Sequence, residues 1–141
     1  MKLNKWILGL LVAGSLAACT NYDYNATNVF GEWNLTEMNG QEILVAENAA
    51  QPFIGFNSQE ARIYGTSGCN NFFGSIVIDS TNVNSIAFDK VGSTKMACPD
   101  MSIEDELFGL LQEVRSIEYN ADKLALKDTL GTVILSFDRK N

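Results

Sequence analysis

Only one stretch of the chain repeats its apolar residues at a helical interval, and this limits the fold more than any other feature. Ile103, Leu107, Leu110, Leu111 and Val114 fall at i, i+4, i+7, i+8 and i+11, a single helical stripe. Ser102 stands where a capping side chain belongs, and Asp105 completes a capping-box-like pair. Glu104, Asp105 and Glu106 put negative charge at the positive end of the dipole. This predicts a helix over about 102–115 with a buried stripe and a solvated acidic start. Elsewhere the apolar residues alternate, or come in short runs cut by turn residues. Trp33 and Leu35 alternate with polar neighbours, and Asn39-Gly40 is a hairpin signal before Ile43-Leu44-Val45. Pro52 to Phe56, Ala61 to Tyr64, Phe72 to Ile78, and Ile86 with Phe88 read as further strands. After the helix come Ile117 to Tyr119, then Leu124 to Leu126 and Val133 to Phe137 as a closing hairpin. One helix interrupting seven to eight antiparallel strands is an α+β arrangement, a curled sheet or cracked barrel wrapped on the helix.

A length of 141 residues suits one such domain. The chain has no histidine, so its own residues build no Ser-His, Cys-His or His-ligated metal site. A formal charge of −7 argues against nucleic acid as a partner, because phosphates need a basic face. The acids Asp89, Asp100, Glu104, Asp105 and Glu106 lack EF-hand spacing, no C-x-x-C occurs, and the glycines at 65, 68 and 74 do not frame a phosphate loop. We expect no metal, no cofactor and no catalysis. Asn70 and Asn71 are expected to satisfy backbone groups of their own turn.

The first residues carry a different message. Lys2 and Lys5 precede the apolar, small-residue run Trp6 to Ala18, the layout of a secretory signal peptide. The run ends in Leu16-Ala17-Ala18-Cys19, which resembles the bacterial lipobox. That resemblance implies a signal peptide over 1–18, cleavage before Cys19, and lipidation of Cys19. Acyl chains at about 0.8 kcal/mol per buried methylene then hold the protein on a bilayer. Thr20 stands where an aspartate would resemble an inner-membrane retention signal, so the outer membrane is the expected home. Residues 19–28 are polar and read as a tether, leaving a domain over 29–141.

Gly68-Cys69-Asn70 with Gly74 close behind, then Thr94-x-Met96-Ala97-Cys98 about 25 residues later, then Glu104-x-x-Leu107 in the helix, resembles the META/HslJ domain. Trp33 and the two closing strands also fit, so the resemblance covers nearly all of the chain after the tether. It implies a small α+β envelope module, structural or stress-related as in heat shock, with no established catalytic activity. The motif residues it singles out here are Gly68, Cys69, Asn70, Thr94, Met96, Cys98 and Glu104. With Cys19 taken by lipid, Cys69 and Cys98 remain as an even pair in an oxidising compartment. Either they are bonded, closing a loop worth about 3–4 kcal/mol, or they pack as two small apolar thiols. As a nucleophile, Cys69 lacks a histidine base. The expected partners are the membrane through the lipid anchor, and an envelope protein or a small apolar ligand. A ligand would sit between the sheet and the stripe of Leu107, Leu110, Leu111 and Val114.

Overall fold

The computed structural model describes residues 24–141. The signal peptide, Cys19 and the first part of the expected tether lie outside them. Nine strands and one helix follow in the order β1 (Phe30–Met38), β2 (Gln41–Glu42), β3 (Phe53–Asn57), β4 (Arg62–Thr66), β5 (Asn71–Val77), β6 (Ala87–Ser93), α1 (Ser102–Glu113), β7 (Ser116–Tyr119), β8 (Lys123–Lys127) and β9 (Val133–Arg139). All the pairings are antiparallel, in the spatial order β6-β5-β4-β3-β1-β9-β8-β7, with β2 appended to β1. The described residues form nine strands, against the seven to eight expected, and the sheet is open.

The two open ends are nevertheless stapled. Ser85, just ahead of β6, bridges to Ser116 at the start of β7. Beside that bridge, Ile86 N–H donates to Arg115 O at 3.2 Å and Ile117 N–H donates to Asn84 O at 2.9 Å. Among the described residues β6 and β7 themselves do not pair, so the sheet curls round until its ends meet at this bridge but stays open. Alternation explains the interior: Trp33, Leu35, Ile54, Ile63, Leu124, Leu126, Leu135 and Phe137 point inward and are almost wholly buried. From α1, Leu107, Leu110 and Leu111 join this core, with Val114 just beyond the helix end. Phe108 meets Phe72 of β5 edge-to-face at 5.8 Å. The stripe is therefore filled by core packing.

Three local expectations change. Ile43-Leu44-Val45 is not a strand; β2 is only Gln41–Glu42, and Leu44 is 88% exposed. β2 and β3 use the same edge of β1, so the chain between them must leave the sheet and return. Gln51 patches the break, its Nε2 donating to Leu35 O at 2.9 Å. The helix starts without a Ser102 side-chain cap; Asp100 Oδ1 accepts from Ser102 N–H at 2.9 Å instead. Hydrogen bonding to the Ser102 side chain first, and to this N–H second, holds the Asp100 carboxyl below its usual range. Finally, the described part of the expected tether is docked. Ala26 is fully buried and its N–H donates to Val83 O at 2.8 Å. Tyr24 stacks edge-on against Tyr119 at 5.1 Å. The polarity of this segment concealed one small apolar side chain that reaches the core.

Candidate functional site

The motif residues converge where the β4–β5 turn meets the segment after β6 and the first turn of α1. Asn70 immediately precedes β5 and is 1% exposed. Its Oδ1 accepts from Met96 N–H at 2.7 Å and from Thr94 Oγ1 at 2.9 Å. Its Nδ2 donates to Met96 O at 3.0 Å and to Glu104 Oε2 at 3.0 Å. Met96 thus receives one donor and one acceptor from a side chain, as it would from a strand neighbour. Thr94 carries the ladder to that point, its N–H donating to Asn71 O at 3.0 Å. Asn70 therefore serves a segment about 26 residues away rather than its own turn.

Glu104 closes the network from the helix side. Its Oε1 accepts from Ser67 Oγ at 2.6 Å and from Asn70 N–H at 3.1 Å. Glu104 is 5% exposed, against the expectation of a solvated acidic face. Its immediate partners seal it although the site lies near the molecular surface. Burial opposes its charge, but hydrogen bonds from Ser67 and Asn70, together with the Lys95 charge, outweigh burial and lower its pKa. Among the described residues, no buried side-chain nitrogen or oxygen lacks a partner.

A disulfide joins Cys69 to Cys98 across a Cα–Cα distance of 6.1 Å, so the pair is bonded rather than two packed thiols. It ties the same two segments that Asn70 bridges. Gly68 precedes it with φ +98°, and a Cβ there would lie 3.0 Å from Ala50 O. Only glycine both turns in this sense and lets the 43–52 loop approach so closely.

That approach shapes a cleft of about 460 Å³ between the loop, the disulfide and the start of α1. Leu44, Val45, Ala49, Pro52, Pro99 and Ile103 give it mostly apolar walls, with Ser67 and Glu104 at its base. A hollow of about 490 Å³ across β1, β9, β8 and β7 is more polar and contains none of the motif residues. No group of three or more metal-binding side chains occurs among the described residues.

All of the expected motif residues from Gly68 to Glu104 meet here, while Cys19 lies outside the described residues. Ser67 and the 43–52 loop were not anticipated. Ser67 carried a weak signal as a hydroxyl inside the Gly65-Thr66-Ser67-Gly68 turn; the loop was masked by its strand-like apolar residues.

These features define a class: a small α+β domain with an open, curled sheet, whose helix is pinned to the β4–β5 turn by a buried amide–carboxylate brace while a disulfide ties that turn to the segment after β6. The chain belongs to the META domain family, whose model matches residues 27–141. Its fold is similar to that of a protein from Burkholderia xenovorans solved by NMR, with a TM-score of 0.61, 23% identity, and coverage of 82% of this chain and 87% of that one. It is also similar to a DUF4847 family protein from Bacteroides vulgatus, with a TM-score of 0.57, 13% identity, and coverage of 79% and 95%. No curated protein matches the chain.

Proposed function

We propose that this META-domain protein is a lipoprotein anchored at the outer membrane through Cys19, acting as a non-catalytic binding or structural module of the envelope. The observation that carries the non-catalytic reading is the spent chemistry of the motif. Asn70, Glu104, Ser67 and Thr94 direct their polar atoms to one another or to backbone, and Cys69 and Cys98 are bonded. No thiol, activated hydroxyl or imidazole in this cluster is left to attack a substrate. The anchor rests on the Lys-rich start, the apolar run and the lipobox-like Leu16-Ala17-Ala18-Cys19. Membrane fractionation and intact mass of Cys19→Ser test it. Release from the membrane or retention of the uncleaved leader is expected; unchanged mass and unchanged fractionation would overturn it.

A second reading, a carrier or sensor of a small apolar ligand, is supported by the apolar cleft at the N-terminal end of α1. This cleft is lined by Ile103 and Glu104 at the helix start and by none of Leu107, Leu110, Leu111 and Val114, which are at most 7% exposed.

A further inference from the structure

The cleft has a charge character that its apolar walls do not suggest. Among the described residues, three acids line it, Glu47, Asp100 and Glu104, and no lysine or arginine does. Glu104 is committed to Ser67 and Asn70, with Lys95 near enough to act on its charge. The carboxylates free to meet a ligand are therefore those on the two rims. Glu47 is exposed on the 43–52 loop, and exposed Asp100 uses Oδ1 on the helix start. Between the rims lie Leu44, Val45, Ala49, Pro52, Pro99, Ile103 and the disulfide. The volume, about 460 Å³, falls in the ordinary range for small-molecule sites.

From this juxtaposition we infer that the cleft binds a small amphiphilic organic cation, an apolar body bearing one ammonium group. The body lies against the Val45, Pro52 and Ile103 wall, and the ammonium sits between Glu47 and Asp100. Two carboxylates at the mouth, neither in an ion pair among the described residues, favour a cation and repel an anion of the same shape. Leu44, 88% exposed at the lip, supplies apolar surface that a bound body would cover. This inference deepens the ligand-carrying reading and rests on it.

Calorimetric titration of the full chain in lipid nanodiscs, with empty nanodiscs as the blank, tests it with three probes of one shape: naphthylmethylamine, naphthylmethanol and naphthoate. The amine should bind about tenfold more tightly than the alcohol at low salt, with the advantage shrinking as salt rises, and naphthoate should bind more weakly than either. Glu47→Gln with Asp100→Asn should bring amine and alcohol to parity, because both charges are gone, while the fold survives because the introduced asparagine keeps an oxygen for the Ser102 N–H. Ala49→Trp should fill the cleft and abolish binding without lowering the melting temperature. Equal binding of amine and alcohol by the unmodified chain would overturn the charge inference while leaving the carrier reading intact. Binding of none of the probes would overturn both. A lysine-bearing apolar peptide that binds more tightly than naphthylmethylamine, and is lost in Ala49→Trp, would overturn the small-molecule occupant in favour of a peptide.

Discussion

Asn70 stands in for a peptide group. An amide offers one acceptor and one donor at the same reach, and Met96 takes both. Leucine would leave the part-buried Met96 N–H and C=O without their Asn70 partner, and aspartate would set a second carboxylate against Glu104. Asn70→Asp should therefore lose more stability at neutral pH than in mild acid, where one carboxyl can hold a proton; urea melts at the two pH values measure this. Glu104 gives the opposite dependence in the native chain. Its folded pKa is lowered, so the stability it adds is complete above the ordinary carboxylate range and is lost as pH falls through the lowered value. Asp79, Asp100 and Glu118 are also lowered but exposed, and they are common to both proteins in a comparison with Glu104→Gln. The urea midpoint of the unmodified chain should fall more steeply on acidification than that of Glu104→Gln. At neutral pH the variant should be about 1–3 kcal/mol less stable, because the glutamine NH₂ faces the Asn70 amide donors.

At the scale of elements, three segments distant in sequence are held by two devices at one point. The brace joins the β4–β5 turn, the post-β6 segment and α1, and the disulfide joins the first two again with a sequence separation of 29. Closing a loop of that size is worth about 3–4 kcal/mol on the chain-entropy account. Cys69→Ala and Cys98→Ala should each cost a similar amount, and the double variant little more, because both remove the same bond. Denaturant midpoints of the three variants check this. α1 offers a second case. Leu111 is fully buried in a packed stripe, so Leu111→Trp should destabilise the fold by about 1–3 kcal/mol through overpacking. Melting curves would show it, and binding to the distant cleft should be unaffected.

At the scale of the whole described domain, the sheet is open and its two end strands meet at a short staple. Helix α1 leaves β6 and returns to β7, so the chain itself spans the gap between the sheet's two ends. Among the described residues, the short staple at Ser85 and Ser116 is the one backbone bridge between those ends. Amide exchange should report this geometry. Ile86 and Ile117, whose N–H groups cross the seam, should exchange as slowly as amides inside the ladders. Fast exchange at both would mean that the staple opens readily and the two ends breathe apart.

Much of this arrangement is legible in the chain because it depends on near neighbours. The period change at Ile103 to Val114 marks the helix, alternation marks most strands, and Asn39-Gly40 marks a turn whose residues take φ of +51° and +74°. The spaced Gly-Cys-Asn and Thr-x-Met-Ala-Cys segments point to the residues that meet at the brace. What the chain leaves undecided depends on distant partners. Glu104 reads as one of three acids on a solvated first turn, and only the approach of Ser67 and Asn70 makes it a buried, charged anchor. Ile43-Leu44-Val45 has strand chemistry, but the edge of β1 that it would need is taken up by β3, so Ile43 turns to the core and Leu44 and Val45 become the lip of a cleft. Local propensity is a property of a few adjacent residues; burial, pairing and the charge of a cleft are set by which segments compete for the same edge or surround the same side chain.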